Sequence, residues 1–235
     1  MKKGILYLIP APLGESPVKN VIPEYNIEII RRLKYFIVEE VRTARRFLKK
    51  TSPALAIDEL QFLIFNEHTL QENLSSFLEP LVNGNDAGLL SEAGLPCVAD
   101  PGSGILRIAH EANIQICPLV GPSSLMLALM ASGFNGQNFS FIGYLPIDKS
   151  TRAKRLKELE RNIYSLDQTQ IFIETPYRNI QVFQAIIENC HEGTLLCLAT
   201  ELTTIAESIV VNTVGNWRGK QPAIDKKPTV FLLFH

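Results

Sequence analysis

Three Gly- and Pro-rich segments come directly after apolar, strand-like runs: PAPLG at 10–14, SEAGLPCVADPG at 91–102 and GPSS at 121–124. The second segment also carries two carboxylates, Glu92 and Asp100. Loops that follow parallel strands gather at the carboxyl edge of the sheet, where small residues let a ligand approach the backbone. The three segments therefore predict a small-molecule site; tight turns without a ligand are the alternative interpretation.

Several common motifs do not occur in the sequence. It has no G-x-x-x-x-G-K-[ST] phosphate loop, no G-x-S-x-G elbow, no H-E-x-x-H helix and no G-x-G-x-x-G opening of a dinucleotide fold. Its cysteines and histidines show no metal-type pairing, so no metal is expected. Glu67 and His68 are a candidate acid–base pair, for which a solvated loop is the alternative. The 23 basic and 24 acidic residues nearly cancel, so a nucleic-acid partner would need a local patch.

The first half alternates strand-like and helix-like segments. The strand-like runs lie at 5–9, 35–38, 62–65, 87–90 and 114–120. Between them, helical spacing relates Leu70, Leu74, Phe77, Leu78 and Leu81. This βαβ alternation predicts a mostly parallel sheet with helices on both faces. The first run is too short to cross a membrane and is predicted to be the first buried strand of a cytoplasmic protein.

The second half follows a different pattern after a break near 118–121. Helices are predicted at 125–131, 150–161 and 177–189, whereas no long helix separates the last three strand-like runs, at 195–200, 208–214 and 229–234. Strands without crossover helices indicate antiparallel pairing. The sequence thus predicts an α/β protein with an N-terminal domain at 1–119 and a C-terminal domain with a mixed sheet at 120–235.

Seven blocks follow one another along nearly the whole chain: YLIPAPLG at 7–14, VEEVRT at 38–43, LLSEAGLPCVADPG at 89–102, PLVGPSS at 118–124, FIGYLP at 141–146, ETPYR at 174–178 and TELTT at 200–204. In the same order they resemble YLVATPIGN, AEDTRT, VSDAGTPxxSDPG, PIPGPSA, FxGFLP, ESPHR and RELTK. These are motifs of the tetrapyrrole methylase superfamily, and the branch they resemble best is ribosomal RNA small subunit methyltransferase I.

The resemblance implies a two-domain tetrapyrrole-methylase-like fold with S-adenosylmethionine (SAM) as co-substrate in the cleft between the domains. It also implies a homodimer that methylates a ribose 2′-hydroxyl of small-subunit ribosomal RNA. From the residues we expect a cytoplasmic protein with no membrane partner and no metal. The residues that the resemblance implies for SAM binding lie in the loops of both domains. They are Pro12, Ser91, Glu92, Ala93, Gly94, Leu95, Val98, Ser123, Ser124, Ile173, Glu174, Thr175, Leu202 and Thr203.

A ribose acceptor needs a group that takes its proton, and a positioned carboxylate can do so. The candidates are Glu40, Glu92, Asp100, Glu174 and Glu201. Glu40 is preferred because it follows a strand and adjoins Arg42, which could hold a phosphate; both are predicted catalytic residues. A structural ion pair at a helix start is the alternative for these two.

Basic residues concentrate in two predicted helices. They are Arg42, Arg45, Arg46, Lys49 and Lys50 in the first helix, and Arg152, Lys154, Arg155, Lys157 and Arg161 in the second. Either helix could follow an RNA backbone, and a solvated face is the usual alternative.

The sequence departs from the family motifs at polar positions. Thr200 and Thr204 stand where the family has Arg and Lys, Tyr177 where it has His, and Glu40 and Val41 where it has Asp and Thr. The chain also ends at His235 without the helical C-terminal extension of many members. Two alternatives follow: a methyltransferase of a tetrapyrrole or other small molecule on the same fold, and a catalytically silent SAM-binding module.

Overall fold

The computed structural model describes residues 2–65 and 71–235, with side chains described for all of these except residues 71–73. Leu70 of the predicted helical stripe, and the candidate pair Glu67 and His68, lie outside the described residues. The chain divides into two compact units, Met1–Ser123 and Ser124–His235. The boundary predicted from the sequence lies a few residues before this division.

The first unit contains a parallel sheet of five strands in the order β3-β2-β4-β1-β5 within its described residues. The strands are β1 (Ile5–Ile9), β2 (Tyr35–Val38), β3 (Gln61–Ile64), β4 (Ala87–Leu90) and β5 (Gln115–Pro118). Their helices are α1 (Val18–Val21), α2 (Glu24–Arg32), α3 (Val41–Thr51), α4 (Glu79–Val82) and α5 (Ser103–Glu111), with 3-10 helices at Ile57–Glu59 and Gln71–Leu78. The predicted mostly parallel sheet with flanking helices is confirmed.

Hydrophobic side chains on both faces of this sheet explain its apolar strands. Leu6 and Leu89 belong to one buried cluster, whereas Ile9 and Leu90 belong to another. Because successive side chains of a strand point to opposite faces, each strand contributes to both clusters. Burial on both faces is typical of parallel strands. Because the strands run parallel, the loops that follow them meet at one edge of the sheet.

The predicted helical stripe is buried, but its backbone differs from the prediction. Leu74, Phe77, Leu78 and Leu81 pack in one core cluster. The backbone is a 3-10 helix over Gln71–Leu78, and the α-helix begins only at Glu79. Pro80 explains where the change occurs, since proline has no N–H to donate to the carbonyl four residues earlier and fits the first turn of a helix.

The second unit contains a mixed sheet in the order β6-β7-β10-β8-β9. Its strands are β6 (Phe139–Tyr144), β7 (Thr169–Ile173), β8 (Leu195–Thr200), β9 (Ser208–Thr213) and β10 (Thr229–Phe234). Its helices are α6 (Ser124–Ser132), α7 (Lys149–Leu166), α8 (Asn179–Asn189) and α9 (Val214–Trp217), with a 3-10 helix at Pro176–Arg178. β6 and β7 run parallel, and the other pairs are antiparallel, which confirms the predicted mixed sheet.

One prediction for the second unit is wrong. Arg152 is one of the basic residues predicted to lie along an RNA backbone. It is only 2% exposed, and its Nη1 donates to the carbonyl of Ile147 at 2.8 Å. Its position on α7 faces the core with Leu156, Leu159 and Ile163. Within the described ranges, no helix combines the length and apolar character needed to cross a membrane.

Candidate functional site

The loops after β1 and β4 are joined by main-chain hydrogen bonds at the carboxyl edge of the first sheet. Ala11 N donates to Gly94 O at 2.9 Å, and Gly94 N donates to Ala11 O at 3.0 Å. Gly94 adopts a φ of +72°, which favours glycine, and a Cβ there would lie 3.1 Å from Leu13 Cδ2. The PAPLG and SEAGLP segments therefore form one paired structure.

The loop after β5 packs against the loop after β1 equally closely. A Cβ on Gly121 would lie 2.2 Å from Pro10 Cβ, so only glycine allows this approach. The three segments that the sequence singled out thus meet at one edge of the first unit, as predicted.

Asp100 holds the loop of residues 91–102, here called the signature loop, in shape. Ser91 Oγ lies 3.1 Å from Asp100 Oδ2, and Gly102 N donates to Asp100 Oδ1 at 3.2 Å. Between these anchors the backbone takes positive φ at Cys97 and Ala99, a conformation that side chains rarely adopt. Burial raises the pKa of Cys97 to about 12, so its thiol stays protonated at neutral pH.

The Glu40 carboxylate caps helix α3. It accepts hydrogen bonds from the main-chain N–H groups of Arg42 at 2.9 Å and Thr43 at 3.0 Å. The Arg42 hydrogen bond is the main reason that the pKa of Glu40 lies below its ordinary value. A carboxylate held in this way is a weaker base, while the exposed Arg42 side chain is available to solvent. Their predicted catalytic roles stay predictions.

Glu92 has the opposite electrostatic environment. Partial burial raises its pKa above the ordinary carboxyl value although the side chain stays in contact with solvent, and the negative charges of Glu40 and Asp100 raise it further. Hydrogen bonds from the Thr43 side chain and the Glu40 backbone act in the other direction. A raised pKa makes Glu92 a stronger base than an ordinary carboxylate, which suits a proton acceptor.

A cavity of about 200 Å³ opens beside Glu92 within the first unit. Its walls come from the β1 loop, from helix α3 and from the start of the β4 loop. Four residues that the resemblance implies for SAM binding line it: Pro12, Ser91, Glu92 and Ala93. Gly94 pairs with the wall residue Ala11, as described above.

Helix α3 contributes residues to the cavity wall that the sequence analysis did not assign to a pocket. Thr43, Ala44 and Phe47 line the cavity together with the basic side chains Arg46 and Lys50. The spacing of Arg46 and Lys50 at i and i+4 places them on one helical face, a signal that was present in the sequence. What the sequence did not reveal was that this face lies beside the signature loop.

The predicted SAM residues of the second unit occupy the ends of β7 and β8. Glu174 follows β7, and its side chain is 1% exposed, 3.0 Å from Arg178 Nη2. Its other carboxylate oxygen accepts from Thr175 N at 2.7 Å. Leu202 is buried, and Thr203 adopts a φ of +68° while its N–H donates to Glu207 at 2.7 Å. Ile173 is half-buried.

Three further predicted residues are surface or junction positions. Val98 is exposed, Ser123 closes the first unit, and Ser124 begins α6 in the second. Leu95 is half-buried in the signature loop. In residues 2–65 and 71–235, no cluster of three or more His, Cys, Asp or Glu side chains could hold a metal ion.

Comparison with known protein sequences finds relatives named ribosomal RNA small subunit methyltransferase I. No protein-family model matches the chain. The ribosomal RNA small subunit methyltransferase I of Haemophilus influenzae is 30% identical over 215 residues, which span 92% of this chain and 72% of the relative. The protein of the same name from Escherichia coli O157:H7 is 29% identical over 213 residues, spanning 91% and 70%.

Among solved structures, the methyltransferase CobJ has the same fold. Its TM-score is 0.66, with 20% sequence identity, and the match covers 99% of this chain and 94% of CobJ. At this identity the likeness establishes the fold alone. It confirms the fold class predicted from the sequence.

Proposed function

The chain belongs to the ribosomal RNA small subunit methyltransferase I family, as its seven sequence blocks predicted, and we propose that it methylates a ribose 2′-hydroxyl of small-subunit ribosomal RNA. Membership makes it a SAM-dependent methyltransferase; the acceptor atom is the proposal. The observation that carries the proposal is the kinship with the Haemophilus influenzae protein over 92% of this chain.

The first unit suits SAM chemically. SAM supplies an electrophilic methyl group on a cationic sulfonium, so the protein's tasks are to bind, orient and exclude water. The charges of Glu40 and Asp100 both act on Glu92, and such a group of carboxylates suits a cation. Near these carboxylates, the paired turn at Ala11 and Gly94 presents small side chains at the edge of the sheet.

The remaining residues implied for SAM binding stay predictions on this proposal. In the first unit the loop residues already described would hold the co-substrate. In the second unit the predicted contacts are Ile173, Glu174, Thr175, Leu202 and Thr203. The buried carboxylate of Glu174 already has partners in Thr175 and Arg178, so its contribution would be to fix the loop backbone.

The experiment is transfer of labelled methyl from SAM to small ribosomal subunits from a strain that lacks this gene. We expect incorporation into ribosomal RNA, with the labelled linkage resisting alkaline hydrolysis because a methylated 2′-oxygen cannot attack the phosphate. Gly94→Trp, which should fill the turn, is expected to abolish incorporation. Absence of transfer by the wild-type protein, with SAM binding intact by calorimetry, would contradict the ribosomal acceptor and favour a small-molecule acceptor or a silent module.

We further propose that the protein acts as a cytoplasmic homodimer, because its proposed substrate is the ribosome and the resemblance implies a dimer. Light scattering coupled to size-exclusion chromatography measures the mass directly. A mass near twice 26.3 kDa is expected. A mass near 26.3 kDa at assay concentrations would rule out the dimer.

A further inference from the structure

Helix α3 divides its basic side chains between two environments. Arg45 forms an ion pair with Asp58, and Lys49 Nζ donates to Pro53 O at 2.7 Å. The next residue after each of these, Arg46 and Lys50, lines the cavity instead. Two neighbouring pairs on one helix therefore face different surroundings: Arg45 and Lys49 bind groups outside the cavity, whereas Arg46 and Lys50 give the cavity a cationic wall.

The cavity has chemically distinct sides. Arg46 and Lys50 supply positive charge, Glu15 and Glu92 supply carboxylates, and Phe47 and Leu90 are apolar. A volume of about 200 Å³ lies below the range of roughly 300–1,000 Å³ for pockets that enclose a whole drug-sized ligand. The cavity therefore suits one compact unit that carries an anion, an apolar ring and a hydroxyl.

Lys50 already holds an anionic group, and that group is easily replaced. Its Nζ lies 2.8 Å from Glu15 Oε2, and the side chains of Lys50 and Glu15 are 49% and 86% exposed. Exposed ion pairs contribute little to stability, so a ligand phosphate can displace the Glu15 carboxylate at little cost. Glu15 thus acts as a stand-in that shows where an anion sits.

We propose that this cavity receives the acceptor nucleotide, extruded from single-stranded ribosomal RNA, with Arg46 and Lys50 binding its phosphate and Glu92 facing its 2′-hydroxyl. This inference rests on the proposed function. Enzymes that do chemistry on a base take its nucleotide out of the stack, and we extend that arrangement to this ribose acceptor because the cavity has room for one compact unit. The assignment gives Glu92, implied by the resemblance as a SAM contact, a catalytic role.

The proposed reaction is a single displacement. The ribose oxygen forms a bond to the methyl carbon, and the bond from that carbon to sulfur breaks with its electron pair remaining on sulfur. The hydroxyl proton passes to the Glu92 carboxylate and then to water. The charges balance, because the cationic sulfonium becomes a neutral thioether and one proton is released. No other reactant is needed.

The phosphate contact is tested by a matched pair of double variants of the full chain. Arg46→Gln with Lys50→Gln should raise KM for small-subunit RNA at least about tenfold, because two charge-assisted contacts are lost. It should also make the salt dependence of RNA affinity shallower, by about 0.7 in log–log slope for each lost phosphate contact. Arg45→Gln with Lys49→Gln removes the same charge from the same helix and should change KM by less than about twofold.

The competing occupant of the cavity is SAM, and the same variants distinguish it. Calorimetry should give the same Kd for SAM in wild type and in both double variants. A weakened SAM Kd in the Arg46 and Lys50 variant alone would overturn the inference and assign the cavity to the co-substrate. Equal changes in RNA KM for both double variants would also overturn it, since that indicates a diffuse charge effect.

The Glu92 role has its own readout. Glu92→Gln should lower kcat by about 10²–10⁴-fold, as expected for a lost proton acceptor, and this loss should far exceed any change in SAM Kd. The wild-type rate should fall as the pH decreases through the raised pKa of Glu92, and this acid limb should vanish in the variant. Wild-type kcat in Glu92→Gln would overturn the catalytic role.

Glu15→Gln should lower KM for RNA, because it frees Lys50. Wild-type protein inactive on small subunits would instead overturn the proposed function.

Discussion

The two units both place acidic residues just after sheet strands, but they use them differently. In the second unit, Glu174 is 3.0 Å from Arg178, and Glu201 is 3.2 Å from Lys227. In the first unit, partial burial raises the pKa of Glu92, and the charges of Glu40 and Asp100 raise it further. Paired carboxylates stabilise the loops that carry them, whereas a carboxylate beside like charges is prepared to accept a proton.

This difference separates residues that shape the site from those available for chemistry. A buried carboxylate with a cation beside it is costly to disturb and contributes little free charge. A carboxylate that is destabilised in its ionised form gains by taking up a proton. Sequence motifs alone give Glu92 and Glu174 equal status, because both fall in blocks that resemble the family.

The largest effect on stability is expected from Arg178→Ala. This change leaves the Glu174 carboxylate, 1% exposed, without its cation. Because Arg178 is itself 23% exposed, the loss should fall at the lower end of the about 3–5 kcal/mol typical of buried pairs. Urea unfolding at neutral pH measures the loss. Arg155→Ala is the control, because its pair with Glu158 is exposed and should contribute less than about 1 kcal/mol. Equal losses in the two variants would mean that the second-unit pair is not a structural anchor.

A smaller effect is expected from Gly94→Ala. Gly94 and Gly219 have φ values of +72° and +74°, so alanine at either position should cost about 1–2 kcal/mol from backbone strain. The surroundings differ, since a Cβ at Gly94 meets Leu13, whereas nothing lies within 4 Å at Gly219. Calorimetry should show weaker SAM binding only for Gly94→Ala. Parallel losses of SAM affinity in both variants would indicate a general effect of destabilisation.

Much of the fold could be predicted from local patterns. Apolar runs at β1, β2 and β4 indicated buried parallel strands, and the lack of a crossover helix between β8, β9 and β10 indicated antiparallel pairing. The 3-10 helix at Gln71–Leu78 could not be anticipated from the stripe, because side-chain spacing reports the buried face and not the hydrogen-bond pattern. Arg152 was missed for a similar reason: its charge suggested solvent, while its place beside Leu156 on α7 put it in the core.

The candidate site was predictable in its loops and not in its electrostatics. Gly94 and Gly121 signalled close backbone approach, which the structure shows. The roles of Glu40 and Glu92 depend on distances between segments about fifty positions apart in sequence, which no local pattern encodes. The α3 cap could have been suspected, because an acidic residue directly before a helix is a common N-terminal signal.

Glu40→Ala tests the capping role, and a modest effect is expected. The variant loses the acceptor for the N–H groups of Arg42 and Thr43, so its Tm should fall, whereas Glu40→Asp should restore most of it. The pKa of Glu40 is lowered by folding, so its stabilising contribution is present above the ordinary carboxyl pKa and is lost as the pH falls through the folded value. The Tm difference should therefore shrink in acid. A pH-independent difference would argue against the cap.

The smallest stability effect should come from Glu92→Gln, and its sign is opposite. Folding raises the pKa of Glu92, so the folded state binds this proton more tightly than the unfolded state, and stability falls as the pH rises through that window. At neutral pH the ionised carboxylate therefore destabilises the folded state, and the glutamine variant should unfold at a slightly higher temperature.

The increase in the free energy of unfolding should stay below about 1 kcal/mol, because Glu92 remains exposed to solvent. It should disappear below the ordinary carboxyl pKa, where Glu92 is protonated in both states. A variant that is less stable at neutral pH would mean that hydrogen bonds from Thr43 and Glu40 outweigh the repulsion, and the contrast between the two units would then be one of degree.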